Sequence, residues 1–376
     1  MKILLVHASA GHGHKKAAEA LAAALTLESP DVQIELMDGL DDFPQWVKKI
    51  YVGSYLYMIT KAGWLWGISY AMSDCKATYP ITAIKRRIFN RLFGWRLHQR
   101  IQNGGADAVV STHFMPCEVA AAIRRSAPSK QKHFTVITDY LVHRFWILKE
   151  TDAYLVAADA TKTKLMAEGI PADKIRVTGI PVNPKFSKRT PVDEARRKLG
   201  IDLNTFTLLF TSGGMGATDI TDWVKLALTT FKDIQVAVVA GSNPALKSRI
   251  DGIAASNARV KSLGFINNMD EWMDAADLIV GKAGGLTVTE SLAKGKPMII
   301  VAPVPGQEAL NLEVLQKAGA SYHAASPQSL CEIVRKYRES SEERAKVARG
   351  IQSLSRVESA REVARVVLGV VKGTKV

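Results

Sequence analysis

Residues 2–27 read KILLVHASAGHGHKKAAEALAAALTL, and this stretch decides the fold. Lys2–Val6 predicts a buried strand, and its short apolar run does not match a secretory signal. Lys15–Leu27 is rich in alanine and leucine and predicts a helix. Glycines fill the turn between them. A short strand, a glycine turn and a helix form the repeating unit of a parallel α/β sheet.

The same alternation continues along the chain in two series, separated by Thr178–Pro191, which carries three prolines and little periodicity. We therefore predict two doubly wound domains, at residues 1–183 and 184–351. Residues 352–376 would add a C-terminal helix, amphipathic over Gln352–Val371, that could belong to the second domain or pack back on the first. The further predicted strands are Val32–Met37, Ala108–Ser111, Phe134–Thr138 and Ala153–Ala157, then Phe206–Thr211, Ile234–Ala240, Leu278–Val280 and Met298–Val301.

The composition excludes several classes of protein. The chain has 376 residues, of which 47% are hydrophobic and 23% charged, so whole-chain disorder, collagen and coiled coil are excluded. No run of about 18 apolar residues suggests a membrane-spanning helix. Three widely spaced cysteines, Cys75, Cys117 and Cys331, indicate a reducing compartment and no zinc framework. The net charge of +14 indicates an anionic partner.

Phe43–Arg100 interrupts the alternation with a basic, aromatic insertion that contains ten Lys/Arg and one acid, Asp74. Aromatic rings and cations on amphipathic segments are typical of a lipid-facing surface, and we prefer this reading. An aromatic core helix with a solvated basic face is the alternative. Nucleic-acid binding is not expected, because no recognition motif is visible. The candidate lipid-facing residues here are Trp46, Tyr55, Trp64, Trp66, Arg86 and Arg87.

The turn Ser9–His14 carries the first chemical candidate. His14 should lie in the first turn of a helix, whose positive end favours the neutral imidazole. A neutral histidine at the carboxyl end of a sheet can act as a general base. A capping or loop histidine is the alternative. His12 and His14 could also be two metal ligands, but no third ligand is evident, so we predict no metal.

Three loops of the second series supply candidate phosphate- and sugar-binding residues. Each follows a predicted strand, and glycines at a strand-to-helix turn let backbone N–H groups approach a phosphate. None is a Walker A motif. Glu290 could accept hydrogen bonds from ribose, or could only complement a helix dipole; Lys282 could equally be a surface lysine. Together with Gly13, the candidates are Ser212, Gly213, Gly214, Met215, Gly216, Lys282, Gly284, Gly285, Leu286, Thr287, Glu290, Gln307, Glu308 and Asn311.

These motifs together resemble the family that joins monogalactosyldiacylglycerol synthases with bacterial processive diacylglycerol glucosyltransferases. The similar stretches are SAGHGHKKAAEAL, STHF at 111–114, VITDYLVHRFW at 136–146, VTGIPV at 177–182, KAGGLTVTESLAKGKP and PVPGQEALN. They occur in the family's order across about residues 3–320. More distantly, the chain is similar to the N-acetylglucosaminyltransferase that makes lipid II.

The resemblance implies a GT-B fold, in which two Rossmann-like domains face each other across a cleft. It also implies metal-free, inverting transfer from UDP-glucose or UDP-galactose, as co-substrate, to diacylglycerol at the cytoplasmic face of a membrane, with anionic lipids as partners. His14 matches the family's base, Glu290 the acid on the donor ribose, and Gln307 and Glu308 the sugar-contacting pair. His113, Asp139 and His143 fall on the acceptor side, and a structural role for Asp139 and His143 stays open.

Three other functions remain open from the sequence. The acceptor could be a polyprenyl-linked sugar, the chain could be a UDP-sugar epimerase on the same fold, or it could be a non-catalytic sugar-nucleotide sensor. An epimerase would leave the basic aromatic insertion unexplained. Residue types do not distinguish glucose from galactose, because the two differ only in the configuration at one carbon.

Overall fold

The computed structural model describes residues 1–9, 11–126, 129–214 and 218–374. The chain divides into two compact units. The first comprises Met1–Pro184, Pro305–Gln307 and the residues from Glu358 onward; the second comprises Lys185–Val304 and Glu308–Val357. Each unit is an α/β layered structure built on a six-stranded sheet in which all strand pairs are parallel.

The first unit follows the predicted alternation, with four helices in the insertion. Its elements are β1 (Lys2–His7), α1 (His12–Glu28), β2 (Gln33–Asp38), α2 (Gln45–Lys61), α3 (Gly63–Asp74), α4 (Tyr79–Phe93), α5 (Trp95–Asn103), β3 (Ala108–Ser111), α6 (Phe114–Ser126), β4 (Lys132–Val136), β5 (Ala153–Val156), α7 (Asp159–Ala167) and β6 (Ile175–Val177). The sheet order is β2-β1-β3-β4-β5-β6.

The second unit repeats this design. Its elements are α8 (Val192–Leu199), β7 (Phe206–Thr211), α9 (Thr221–Thr230), β8 (Ile234–Val239), α10 (Pro244–Ala255), β9 (Val260–Leu263), α11 (Met269–Ala275), β10 (Leu278–Gly281), α12 (Gly285–Lys294), β11 (Met298–Val301), α13 (Gln307–Lys317), β12 (Ser321–Ala324), α14 (Pro327–Glu339) and α15 (Ser341–Leu354). The sheet order is β12-β11-β10-β7-β8-β9.

The last helix, α16 (Ser359–Lys372), belongs to the first unit. We predicted one continuous helix over Gln352–Val371, and this was wrong. The chain leaves the helical conformation at Ser355, whose hydroxyl donates to the carbonyl oxygen of Leu292, and the helix restarts at Ser359. The apolar side of α16, including Val363 and Val367, packs into the core beside α1.

The run of apolar residues in β1 is explained by burial on both faces of the sheet. Ile3 and Leu5 pack in the core with α1 and α16, whereas Leu4 and Val6 pack in a second core on the opposite face. Strands of parallel sheets covered on both faces are apolar at every position, not at alternate ones. Each fully buried leucine contributes about 1.5–3 kcal/mol relative to leaving it exposed.

Both sheets have a point at which the strand order reverses direction. In the first sheet this point lies between β1 and β3, and in the second it lies between β7 and β10. Loops that leave the carboxyl ends of strands on either side of such a point form the usual ligand crevice of open α/β sheets. The fold therefore directs attention to the loops after these four strands.

Candidate functional site

The loop after β1 is fixed at its start by a carboxylate. Asp38, at the end of the neighbouring strand β2, accepts from the Ser9 backbone N–H at 3.2 Å and from the Ser9 hydroxyl at 2.5 Å. Lys48 of α2 donates to the same carboxylate at 2.9 Å. Gly11 then takes φ 112°, which a side chain would disfavour, and α1 begins at His12. This path places His14 in the first turn of the helix.

The His14 ring is held by two oxygen atoms at one nitrogen. Its Nδ1 lies 2.7 Å from the Thr112 carbonyl oxygen and 3.0 Å from the Thr138 hydroxyl oxygen. A carbonyl oxygen can only accept, so Nδ1 carries the proton and donates it. The Thr112 hydroxyl in turn donates to the His14 carbonyl oxygen at 2.9 Å. The basic lone pair of the neutral ring is therefore on Nε2.

His14 is neutral at physiological pH. Desolvation by burial lowers its pKa from 6.5 to about 4, the hydrogen bond to the Thr112 carbonyl opposes this, and the nearby His7 reinforces it. The positive end of the α1 dipole acts in the same direction. A side chain that is unprotonated at neutral pH can accept a proton from a substrate, as a general base must.

Further aromatic side chains surround His14. The His113 ring, which follows β3, lies edge-on to it with 4.7 Å between ring centroids, and Trp146 lies 6.3 Å from both rings. His113 Nδ1 accepts from the Met115 backbone N–H at 3.1 Å, and burial holds the pKa of His113 well below its usual value. The predicted acceptor residue His113 thus lies beside the predicted base, as a second neutral imidazole.

Asp139 and His143, the other predicted acceptor residues, follow β4 and are directed to the insertion. His143 Nδ1 accepts from the Phe145 N–H at 3.1 Å, so its Nε2 carries the proton and faces the Tyr70 carbonyl and the Ser73 hydroxyl, each at 3.2 Å. Burial lowers the pKa of His143 to about 4. These contacts anchor α3, and among the contacts described none joins His143 to His14.

Asp139 is half-buried, and its negative charge acts on the hydroxyl of Tyr70 in α3. Burial, together with the charges of Asp139 and Asp74, holds the pKa of Tyr70 well above its usual value. Asp74 also accepts from the Arg144 backbone N–H at 2.7 Å and from Lys164 at 2.9 Å. The one acid of the insertion therefore anchors it to the loop that follows β4.

Arg86 and Arg87, predicted to face the membrane, differ in their surroundings. Arg86 pairs with the buried Glu118 at 2.5 Å and lies 4.3 Å from the centre of the Phe145 ring, so its charge is neutralised inside the unit. Arg87 reaches Glu118 only at 3.8 Å and is exposed. Arg86 is thus a packing residue of this unit, and Arg87 remains available at its surface.

The predicted aromatic residues of the insertion divide in the same way. Trp46 and Trp64 are 59% and 70% exposed. Trp66 instead donates from Nε1 to the Gln307 side-chain oxygen at 3.1 Å, and the Gln307 amide nitrogen donates to the Tyr55 hydroxyl at 3.3 Å. Gln307 lies in the short segment 305–307 that groups with the first unit.

In the second unit, the loop after β7 packs closely on the next loop of the sheet. Gly213 has φ 75°, and a Cβ on Gly241 would meet the Gly213 carbonyl oxygen at 2.5 Å. The Ser212 hydroxyl donates to the Ala240 carbonyl oxygen at 3.3 Å and is buried. Gly214 ends the described part of this loop, and the predicted residues Met215 and Gly216 lie outside the described residues.

The loop after β10 leads to a helix N-terminus that no side chain caps. Gly284 is the residue before α12, and it has no side chain with which to bond the first N–H groups of Gly285, Leu286 and Thr287. Such N–H groups, at the positive end of a helix, bind anions. Glu290 follows one turn later and is half-buried. The geometry suits a phosphate at the helix start.

Lys282, Glu308 and Asn311 converge on the same loop within the second unit. The Lys282 ammonium lies 3.2 Å from one Glu308 oxygen, and the other accepts from the Val304 backbone N–H at 2.8 Å. The fully buried Asn311 side chain donates to the Ala283 carbonyl oxygen at 2.9 Å. Asn311 thus fixes the backbone between Lys282 and Gly284, and the ion pair joins this loop to the start of α13.

Sequence reasoning missed Thr112, Thr138 and Trp146 around His14, and Asp38 beneath its loop. Their positions at the ends of predicted strands could have indicated Thr112 and Thr138, because the carboxyl ends of parallel strands meet at one edge of the sheet. Gly13 lies in the first turn of α1, in the same unit as His14. Among the described residues, no cluster of three His, Cys, Asp or Glu side chains could hold a metal ion.

Comparison with known proteins gives the family. Residues 14–182 match the family model for monogalactosyldiacylglycerol (MGDG) synthase, and residues 207–363 match the model for the glycosyltransferase family 28 C-terminal domain. The chain carries an MGDG synthase domain followed by a glycosyltransferase family 28 C-terminal domain. The first match contains β2 to β6 and the second, from Thr207 onward, contains the strands of the second sheet, and His14 is the first residue of the first match.

Two curated relatives carry the same name. The chain is 32% identical over 240 residues to the processive diacylglycerol beta-glucosyltransferase of Bacillus subtilis, covering 63% of this chain and 62% of that enzyme, which is less than two thirds of its length. It is 28% identical over 334 residues to the enzyme of that name from Bacillus pumilus, covering 85% of this chain and 82% of that enzyme.

Among solved structures, MurG of Acinetobacter baumannii has a TM-score of 0.63 with 16% identity, over 98% of this chain and 99% of that one. This likeness confirms the predicted fold class, an α/β fold of the GT-B type; each of its two parallel sheets has six strands. The search for a helix long and apolar enough to cross a membrane found none in the described part of the chain.

Proposed function

We propose that this protein is a glycosyltransferase that transfers a hexose from a UDP-sugar to the sn-3 hydroxyl of 1,2-diacylglycerol, forming a beta-glycosyl-diacylglycerol. One observation carries the proposal: His14 is a neutral imidazole with its proton fixed on Nδ1 and its Nε2 lone pair available. It lies at the strand-order reversal of the unit that matches the MGDG synthase model. The names of the Bacillus relatives supply the acceptor class.

The chemistry is a single displacement. The acceptor oxygen attacks the anomeric carbon and forms the new glycosidic bond, while the bond from that carbon to the UDP oxygen breaks with inversion. His14 Nε2 takes the hydroxyl proton and becomes an imidazolium. Thr112 and Thr138 both accept from Nδ1–H, and these bonds strengthen as the ring gains charge. Removal of a base of this kind costs about 10²–10⁴ in rate.

Most of the groups that we assign to the donor lie in the second unit. Negative charge builds on the leaving diphosphate, and the uncapped N-terminus of α12 with the Lys282 ammonium can stabilise it. We assign Glu290 to the donor ribose hydroxyls, and Glu308 with Gln307 to the hexose. These groups bind and orient the donor without a metal ion. UDP-glucose and UDP-galactose are the candidate donors.

The insertion supplies a membrane-facing surface. Ile81, Ile84, Ile88 and Leu92 form one stripe of α4 at helical spacing, and each is more than half exposed. Lys85 and Arg91 are exposed on the same helix. An apolar stripe flanked by cations suits the surface of an anionic bilayer. The protein would then act peripherally at the cytoplasmic face, where its lipid acceptor lies.

Product analysis tests the activity. Purified protein is incubated with mixed micelles of diacylglycerol and anionic phospholipid, with UDP-glucose and UDP-galactose in separate reactions, and the lipid extract is measured by mass spectrometry. A hexosyl-diacylglycerol from one donor is expected, and a dihexosyl product would show continued transfer. His14→Ala should lose at least about a hundredfold in rate. His323→Ala, an exposed histidine of the second unit, is the matched control.

The other readings are separated by the same reactions. If diacylglycerol gives no glycolipid with either donor but a polyprenyl-linked sugar is glycosylated, the acceptor is the polyprenyl-linked sugar and not diacylglycerol. Interconversion of the UDP-sugars without any lipid would favour an epimerase. UDP-sugar binding without turnover would favour a sensor. A His14→Ala protein with wild-type turnover would remove the base from the mechanism.

Vesicle flotation tests the membrane surface. The double variant Ile84→Glu, Ile88→Glu should bind vesicles of phosphatidylcholine and phosphatidylglycerol much less than the wild type, because it places two acids on the apolar stripe. Phe265→Glu is the matched control, since Phe265 is also 54% exposed but lies in the second unit. Equal binding by the three proteins would contradict the assignment of α4.

A further inference from the structure

The first unit contains an open cavity of about 530 Å³ that the catalytic assignment does not use. Phe43, Val52 and Leu56 give its lining apolar surface. Ser9, in the loop that leads from β1 to His14, also lines it. Its volume is within the range of about 300–1,000 Å³ that small-molecule sites occupy. The cavity therefore adjoins the loop that carries the base.

Helix α2 connects this cavity to the exposed surface. Gln45, Lys49, Val52 and Leu56 line the cavity at spacings of four, three and four residues, so they share one face of the helix. The residue that follows a cavity-lining residue is rotated by about 100° around the helix axis and so lies on the neighbouring face of α2. On that face, about 60% of the side chain is exposed in each of Trp46, Ile50 and Tyr57. An apolar chain can thus pass from the lipid-facing side of α2 into the cavity.

The charges of the cavity favour a neutral ligand. Asp41 lines it, and Lys48 is paired with both Asp41 and the buried Asp38. A phosphate group would meet the repelling Asp41 carboxylate and Lys48, whose charge is already balanced, so that of these three lining charges Lys49 alone would attract it. Ester carbonyl oxygens, by contrast, need only donors such as the Gln45 amide and the Lys49 ammonium. The lining therefore suits the ester region and the adjoining acyl chain of a neutral lipid.

We propose that this cavity is an acyl-chain subsite that holds one chain and its ester group of the diacylglycerol acceptor. The inference rests on the proposed function for the identity of the lipid, but it assigns a binding site on α2 that the catalytic residues do not define. It makes α2 a determinant of acceptor chain selectivity. Because Ser9 lines the cavity, a lipid held here contacts the loop that leads to His14.

Gly53 offers a direct test, because it lines the cavity in the middle of α2. A Cβ at Gly53 would have no atom within 4 Å, so a larger side chain extends into open space without a clash. Leucine also favours the helical state more than glycine. Gly252 is a matched control, since it is an exposed glycine within α10 with equally open space.

We expect Gly53→Leu to lower kcat/KM for dioleoylglycerol at least about tenfold and to lower it less for dioctanoylglycerol. Gly252→Leu should match the wild type, and all three proteins should bind UDP with the same affinity. Equal kcat/KM for Gly53→Leu and the wild type with dioleoylglycerol would overturn the proposal. So would an equal loss with both chain lengths, because the chain subsite would then not be involved.

A measurement on the wild type makes the test independent of turnover and of the variant. Diacylglycerol with a diazirine on one acyl chain is photolysed with the protein in micelles, and the labelled peptides are sequenced by mass spectrometry. Label on Val52, Leu56 or Phe43 is expected. Label confined to other segments overturns the proposal. Label on α2 without any glycolipid product would contradict the transferase activity while supporting the lipid site.

Discussion

Replacement of Thr138 by valine should slow transfer by weakening the hold on the catalytic base. Thr138 is buried and its hydroxyl oxygen lies 3.0 Å from His14 Nδ1, where it shares the Nδ1 proton with the Thr112 carbonyl oxygen. Valine keeps the shape of threonine but offers no acceptor. The Thr112 carbonyl would remain, so the ring should keep its tautomer but lose one of its two restraints.

The expected magnitude follows from the value of one hydrogen bond. A typical intramolecular hydrogen bond contributes about 0.5–1.5 kcal/mol net. At about 1.36 kcal/mol for each tenfold change, kcat should fall by about twofold to about tenfold. The lost acceptor stabilised the imidazolium more than the neutral ring, so the pKa of His14 should fall below its value of about 4. The acidic limb of the pH–rate profile should move to lower pH accordingly.

The assay is kcat and KM for the UDP-hexose across pH, with Thr138→Ser as the matched control that keeps the hydroxyl. We expect kcat of Thr138→Val to fall while KM for the donor stays constant, and Thr138→Ser to stay within about twofold of the wild type. A Thr138→Val enzyme with wild-type kcat and pH profile would refute the role of Thr138. A loss in Thr138→Ser as large as that in Thr138→Val would refute the hydrogen-bond explanation.

Three further predictions concern stability and donor binding. Burial lowers the pKa of three histidines, His14, His133 and His143, to about 4. Between pH 6.5 and pH 4 the unfolded chain therefore binds more protons than the folded one, so the free energy of unfolding, measured by urea titration, should fall as the pH drops through this range. A free energy that does not change with pH would contradict these pKa values. Lys294 and Asp274 form a buried ion pair at 2.6 Å, each at most 2% exposed, so Lys294→Met should cost about 3–5 kcal/mol in urea unfolding. The double variant Lys294→Met, Asp274→Leu should recover most of this loss, and a double variant as unstable as the single one would contradict the pairing. Asn311→Leu should weaken UDP binding in calorimetry, because the Ala283 carbonyl loses its donor and the loop before α12 is released; wild-type affinity would show that Asn311 does not position that loop.

The sequence predicted every interior strand, but of the four edge strands only β2. β6, β9 and β12 were not predicted, and each lies at an edge of its sheet. They are three or four residues long and include polar residues such as Lys261 and His323. Interior strands are buried on both faces and need continuous apolar runs, whereas edge strands carry polar side chains and lose that signal.

The candidate site shows a similar division. The position of His14 followed from a local pattern, a glycine turn between a strand and a helix, whereas its partners Thr112 and Thr138 lie 98 and 124 residues away. No spacing along the chain indicates which strand-end hydroxyl reaches a given ring. The burial of Arg86 could not be predicted for the same reason, because Glu118, which neutralises its charge, lies on α6, outside the insertion.

The return of α16 to the first unit affects how the chain can fold as it is synthesised. Val363 and Val367 belong to the core that also contains Ile3 and Leu5, yet a ribosome adds them some 360 residues later. The second unit has all its strands once β12 is made, whereas the first must wait with part of its apolar core uncovered. A chain that ends after α15 should therefore aggregate through the unit that is synthesised first.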